Sequence, residues 1–273
     1  MDKTSILGVI LGFVAIGMGI VMKGVTITTL LNPAAILIIV IGTAATVIIA
    51  FPTRVIRNVP ALFKIIFTEK ELYNLEQLIT QFAAWSEQTR REGLLSLENQ
   101  MEEIDDPFLQ SGIQMAVDGQ NPDFIRDVLM EKIYAMEARH EEGALVFSQA
   151  GTYAPTLGVL GAVVGLVAAL GDMEDMDVLG AAISAAFIAT LLGIFTGYVL
   201  WHPFANKLKE KSKREVMMKE MMVEGILSIT AGESPAVIKD KLSSYLSVKE
   251  MERMEKNNQT KAGQEEGNET TGS

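Results

Sequence analysis

Residues 151–201 read GTYAPTLGVLGAVVGLVAALGDMEDMDVLGAAISAAFIATLLGIFTGYVLW, and most of this stretch is apolar. Two runs within it, residues 151–171 and 178–201, contain no Lys, Arg, Asp, Glu or His. About 20 helical residues extend about 30 Å, which matches the hydrocarbon core of a bilayer. The pattern therefore predicts two transmembrane helices joined by a short acidic turn.

Two further apolar runs, residues 5–22 and 33–51, also lack ionisable side chains. The chain of 273 residues is 49% hydrophobic and 21% charged, so its apolar residues are segregated into these four runs. We therefore expect an all-α, polytopic membrane protein with four transmembrane helices and a helical cytoplasmic domain.

The orientation follows from the basic residues beside the spans. Arg54, Arg57 and Lys64 follow the second span, and five Lys or Arg residues lie within residues 207–214, after the fourth. Short flanks that are rich in Lys and Arg stay in the cytoplasm. Both termini are therefore expected on the cytoplasmic side.

Helix signals divide the remainder of the chain. Asn121 and Pro122 resemble a cap and first turn, Gly232 can end a helix in a left-handed conformation, and Ser234 with Pro235 can start another. The predicted divisions are transmembrane helices 1 and 2 (1–51), a cytoplasmic helical domain (52–150), transmembrane helices 3 and 4 (151–201), cytoplasmic C-terminal helices (202–256) and a disordered tail (257–273).

The spans carry no carboxylate to bind an ion, although ion relays normally place one within the membrane. If the chain conducts protons or sodium, another subunit must supply that group. The chain has no Cys and two His residues, His140 and His202, so we expect no catalytic site, no metal site and no cofactor. A net charge of -11 argues against nucleic acid as a partner.

Small residues recur at spacings of three and four along the third and fourth spans. Such residues let helix backbones approach closely in lipid. The pattern leaves two interpretations open, packing within one chain or a surface for a partner helix. The residues concerned are Gly158, Gly161, Gly165, Ala186, Ala189 and Gly193.

Three other positions have both a structural and a functional interpretation. Pro155 falls in the first turn of the third span and Pro203 just past the fourth, places where proline is tolerated. Thr190 lies among small residues, where its hydroxyl either bonds to its own helix or faces a wet pathway.

Three strings resemble the MotA family of flagellar stator proteins, within the MotA/TolQ/ExbB superfamily: TRREGLLSLE at 89–98, GTYAPTLGVLG at 151–161 and AAFIATLLG at 185–193. The resemblance covers nearly the whole chain up to about residue 247. It implies a homo-pentamer in contact with lipid in the bacterial inner membrane, arranged around a MotB-type partner. The partner's membrane Asp would bind the permeating ion, in agreement with the missing carboxylate.

The same resemblance assigns roles to individual residues. Arg90 and Glu98 match the charged pair that the family presents to the rotor protein FliG. Residues eight apart on a helix differ by about 80°, so both are expected on one face. Pro155 and Pro203 match two prolines that couple ion movement to conformational change, and Thr190 matches a pore-side threonine.

The sequence indicates the driving ion less clearly than it indicates the function. Ala162 stands in the third span where sodium-driven members often carry Thr, yet the overall string looks most like the Bacillus-type MotP branch. We therefore expect sodium rather than protons to drive the stator. The alternatives are an energiser of the ExbB or TolQ type, proteins with three spans, and a membrane scaffold without ion flux.

Overall fold

The computed structural model describes residues 2–24, 30, 32–69, 74–171 and 176–254. All regular secondary structure in these ranges is helical, which confirms the predicted fold class. The predicted tail and most of the acidic turn lie outside the described residues. The helices are α1 Lys3–Met22, α2 Pro33–Ala50, α3 Thr53–Ile56, α4 Val59–Phe67, α5 Leu75–Glu92, α6 Pro107–Val117, α7 Pro122–Leu170, α8 Met176–Phe195, α9 His202–Thr230 and α10 Pro235–Ser243.

The chain divides into two compact units, each with its own core. The first unit comprises Met1–Lys70 with Ala138–Ser212, and the second comprises Glu71–Glu137 with Lys213–Ser273. Four described helical stretches are long and apolar enough to cross a membrane: Lys3–Met22, Pro33–Ala50, Pro122–Leu170 and Met176–Thr230. These stretches cover the four predicted spans, apart from one residue at the end of the second and one at the end of the third.

The membrane helices of the first unit start at clear local signals. The Asn32 side chain caps α2 by accepting a hydrogen bond from the Ala35 N–H at 3.1 Å, and Pro33 occupies the first turn. One face of α2 is buried at every fourth residue, at Ala35, Ile39, Thr43 and Val47. In contrast, no residue of α1 is buried within the chain.

The second unit has a conventional apolar core. Phe82 and Trp85 of α5 meet edge to face with ring centroids 5.4 Å apart. The predicted boundaries are found here: Asn121 accepts a hydrogen bond from the Asp123 N–H, and Gly232 has a φ of 69° just past α9. Other fully buried side chains include Ile79, Leu97, Leu109, Ile113, Ile125, Leu129, Ile133, Met221 and Met222.

The two prolines do not mark helix ends, so that interpretation of both is wrong. Helix α7 begins at Pro122, so Pro155 lies in the interior of a 49-residue helix and not in a first turn. The helix of the fourth span does not end before Pro203, because a π-helical segment, Thr196–Trp201, joins α8 directly to α9. Hydropathy marks where the membrane ends, whereas a helix continues as long as its own hydrogen bonds satisfy the backbone.

Candidate functional site

Helices α7 and α8 touch backbone to backbone in the first unit. A Cβ atom on Gly158 would lie 2.8 Å from the Ala189 carbonyl oxygen and 3.0 Å from the Gly193 Cα. A Cβ atom on Gly193 would lie 2.8 Å from the Ala154 carbonyl oxygen. Side chains do not fit at such distances, so both glycines serve packing within the chain.

Most other small residues of these spans also face their own chain. Gly161 lies near the Ile38 side chain, whereas a Cβ on Gly165 would meet nothing within 4 Å. The alanines form a buried apolar cluster, and Ala162 is only 8% exposed within it. Ala162 therefore does not line an open surface of the chain. The cluster consists of Ala35, Ala162, Ala186 and Ala189, with Leu166 packed against it.

The Thr190 hydroxyl of α8 is used by the helix that carries it. Thr190 is half-buried, and its Oγ1 donates to the Ala186 carbonyl oxygen at 3.2 Å. In α2 the Thr43 hydroxyl is buried and, in the part of the chain that is described, has no hydrogen-bond partner. The four-residue spacing of Thr43 from Ile39 and Val47 is the sequence signal that it faces inward.

Pro155 meets the π-helical segment directly. A Cβ atom on Gly197 would lie 2.7 Å from the Gly151 carbonyl oxygen and 2.8 Å from Cγ of Pro155. The His202 ring lies against the other side of Gly151, where an added Cβ would meet three ring atoms at 2.8 Å. Pro203, by contrast, is exposed. The sequence does not indicate that Gly197 lies beside Pro155 or that His202 lies beside Gly151, because only the fold brings these residues together.

A buried ion-pair cluster joins the start of α1 to α9. Asp2 is 6% exposed, and its carboxylate lies 2.7 Å from Nζ of Lys207 and 3.4 Å from Nζ of Lys211. Burial opposes the charged form of Asp2, but hydrogen bonds from Lys207, Thr4 and the Ser5 N–H outweigh it and hold the pKa of the carboxyl well below its usual range.

Lys211 ties the same cluster to the end of α4. Its Nζ donates to the carbonyl oxygens of Ile65 at 2.6 Å and Thr68 at 2.8 Å. Carbonyls at the end of a helix lack partners within the helix, and a cation there also suits the helix dipole. The sequence contained Asp2 and the basic run after the fourth span, but their separation in the chain hid the contact.

In the second unit, Arg90 and Glu98 are both exposed, but they do not share one helix. Helix α5 ends at Glu92, Gly93 has a φ of 84°, and residues 94–103 form a 3₁₀ segment. The expected common helical face is therefore wrong. Glycine is the residue that adopts this conformation readily, so the turn at Gly93 is built into the sequence.

The 3₁₀ segment, Leu94–Glu103, is held firmly against α5. Leu97 is 1% exposed, and the Gln88 Nε2 donates to the Ser96 carbonyl oxygen at 3.1 Å. The Trp85 Nε1–H donates to the side-chain oxygen of Gln100. Glu98 is thus presented from an ordered turn beside the end of the helix that carries Arg90.

A second ionic cluster lies elsewhere in that unit. Glu224 pairs with Lys241 and, at 3.5 Å, with Arg126. The hydrogen bond from Lys241 to Glu224 raises the pKa of the lysine, against the opposing effect of burial. Among the described residues, no group of three or more His, Asp and Glu side chains could hold a metal ion.

The chain is similar to known proteins in both sequence and fold. The MotA/TolQ/ExbB proton channel family matches residues 100–221. The chain is 60% identical over 250 residues to Motility protein A of Bacillus subtilis, covering 92% of this chain and 93% of that protein. A chain of the flagellar MotAB stator complex from Bacillus subtilis superposes with a TM-score of 0.89 at 59% identity, over 92% of this chain and 99% of that chain. A chain of the structure of C. jejuni MotAB superposes with a TM-score of 0.87 at 30% identity, over 91% of this chain and 97% of that chain.

Proposed function

Because the chain belongs to the MotA/TolQ/ExbB family, we propose that it is the channel-forming stator subunit of a bacterial flagellar motor. With a MotB-type partner it couples inward ion flow to torque on the rotor. The observation that carries the proposal is the set of four apolar spans, 5–22, 33–51, 151–171 and 178–201, without one Lys, Arg, Asp, Glu or His. Ion relay requires a titratable group in the membrane, and the partner's Asp supplies it.

The proposed assembly is a homo-pentamer around two copies of the partner, in the inner membrane with both termini cytoplasmic. The exposed apolar side chains of α1, including Leu7, Leu11 and Phe13, suit contact with lipid. The basic residues after the second and fourth spans suit a cytoplasmic position beside lipid headgroups.

The proposed rotor contact is made by Arg90 and Glu98 with a FliG-type protein. Both side chains are exposed, and the turn after Gly93 fixes where the second charge stands relative to the first. Exposed charges contribute orientation and rate of encounter more than affinity. This suits a contact that must form and release repeatedly as the rotor passes.

Two ions remain candidates because different observations favour each. The likeness to the MotP branch favours sodium. The proton is favoured by Ala162, which places a methyl group in a buried alanine cluster where sodium-driven members often carry Thr. Sodium transit requires oxygen atoms to replace its water shell, and the side chain of Ala162 has none.

The test is swimming speed in a host without stators that expresses this chain with its MotB-type partner, at varied external sodium and fixed pH and membrane potential. Speed that rises and saturates with sodium identifies sodium as the ion. Speed that ignores sodium but falls when the proton gradient is collapsed identifies the proton. No motility despite membrane co-assembly refutes the stator proposal and favours an ExbB or TolQ type energiser or a scaffold.

The rotor contact is tested separately by charge reversal at Glu98. We expect Glu98→Lys to abolish swimming while the variant still assembles with its partner in the membrane. Glu137→Lys is the matched control, because Glu137 is also an exposed glutamate of the second unit. Equal swimming of both variants contradicts a rotor contact at Glu98.

A further inference from the structure

Two departures from regular α-helix stand side by side in the first unit. Pro155 has no N–H, so it cannot donate to the carbonyl oxygen of Gly151 four residues earlier. On the neighbouring helix the π-helical segment precedes Pro203, whose ring would crowd a carbonyl of the preceding turn in a regular helix. Each helix therefore has a point at which it bends easily, and these two points lie beside each other.

Gly197 connects these two points through three contacts. Its Cα lies against the Gly151 carbonyl and the Pro155 ring, where an added Cβ would be 2.7 Å and 2.8–2.9 Å away. Its carbonyl oxygen accepts the hydrogen bond of the His202 N–H, five residues further on. The His202 ring in turn packs on Gly151.

No flexible side chain lies between the two backbones at Gly197. The atoms in contact are a carbonyl oxygen, ring carbons of a proline and a Cα, none of which can rotate aside. A change of bend at Pro155 moves the Gly151 carbonyl, and close packing then forces the π-helical segment to shift with it.

We propose that Gly197 is a positioning residue that makes the bend at Pro155 and the π-helical segment before Pro203 move as a single joint. The inference rests on the proposed stator function, because the joint is the means by which the third and fourth spans respond together to ion transit. Its substance is that the two prolines do not act independently.

The functional test is Gly197→Ala in the swimming assay, with Gly8→Ala in α1 as the matched control. Both changes add one methyl group to a membrane glycine, but a Cβ at Gly8 meets nothing within 4 Å, whereas one at Gly197 meets atoms that cannot yield. We expect loss of swimming for Gly197→Ala, with membrane level and partner assembly unchanged, and wild-type swimming for Gly8→Ala. Wild-type swimming of Gly197→Ala overturns the proposal, whereas failure of the unaltered chain to swim concerns the proposed function alone.

A spectroscopic test applies whether or not Gly197→Ala assembles. The chain has two tryptophans, Trp201 at the end of the π-helical segment and Trp85 in the second unit, so fluorotryptophan labelling of the full complex gives a reporter and a reference. We expect Pro155→Ala to shift the Trp201 signal and leave that of Trp85 in place, with the neighbouring Thr156→Ala as control.

The same measurement includes a double-variant cycle. Where the Gly197→Ala complex assembles, the shift from Pro155→Ala should differ between the glycine and alanine backgrounds, because the contact at Gly197 transmits it. An unmoved Trp201 signal in Pro155→Ala, or strictly additive shifts in the double variant, overturns the proposal.

Discussion

Replacing Asp2 by Ala should destabilise the first unit markedly. Asp2 is only 6% exposed, and its carboxylate accepts hydrogen bonds from Thr4 and the Ser5 N–H and pairs with Lys207 and Lys211. Removal leaves both ammonium groups short of a partner and α1 without its cap. One broken charged hydrogen bond costs about 1.5–3 kcal/mol and a lost cap about 1 kcal/mol, so we expect about 3 kcal/mol in total.

The assay is thermal unfolding of the purified protein in detergent at neutral pH. A loss of 1 kcal/mol lowers Tm by about 2–4 °C at this chain length, so Asp2→Ala should lower it by about 9 °C. Asp2→Asn keeps an oxygen for the cap and should lose about half as much. Asp127→Ala, which removes an exposed carboxylate, should change stability by less than about 0.5 kcal/mol.

The pH dependence of stability is a separate test of the Asp2 carboxylate. Because the pKa of Asp2 is held below its ordinary value of 3.8, the unfolded chain takes up this proton first as pH falls. The stabilisation is therefore complete above pH 3.8 and is lost progressively below it, and Asp2→Asn should lack this part of the acid sensitivity. Equal midpoints for wild type, Asp2→Ala and Asp127→Ala would refute the reasoning.

Three further outcomes concern the second unit. Gly225→Ala should cost about 2–3 kcal/mol of stability, because the new methyl group meets a phenylalanine ring at 2.7 Å. Gly112→Ala should cost only about 1 kcal/mol, because its methyl group meets movable side-chain ends. Thermal midpoints that rank the other way contradict this. Lys241→Met should cost about 1 kcal/mol of stability at neutral pH by removing the pair with Glu224. Because pairing raises the pKa of the lysine, this cost should persist to pH 10.5 and vanish only above the raised pKa. A pH series of melting curves measures it. Trp85→Phe should cost about 1 kcal/mol by deleting its hydrogen bond to the 3₁₀ segment, with faster amide exchange there as the measurement; unchanged exchange would show that this bond does not hold the segment.

Features encoded by a few adjacent residues were predictable from the sequence. The cap and proline at Asn121 and Pro122, the left-handed Gly232 and the four apolar spans were all identified, because capping, turn conformation and hydropathy are local properties. Gly93 carried the same kind of signal as Gly232, following basic residues at the end of α5. Its meaning was overlooked because the residues on both sides also fit a helical pattern.

Features that depend on the path of the chain were not predictable. Asp2 meets Lys207 across more than two hundred residues, and nothing near Asp2 in the sequence indicates that partner. The same holds for Gly197 and Pro155, which meet only after α7 and α8 pack together. The functional roles of Arg90 and Glu98 stay predictions from family likeness, since an exposed charge has the same appearance whether it meets water or a rotor.

Helix α1 has a consequence for the response to membrane thickness. Its 20 residues extend about 30 Å, none is buried within the chain, and Asp2 secures its first turn. In a bilayer, a helix that is secured at one end and has no buried residue can adjust to a thinner or thicker membrane by changing its tilt about that end. Lipid composition therefore acts on this protein first through α1, with the carboxylate of Asp2 as the pivot.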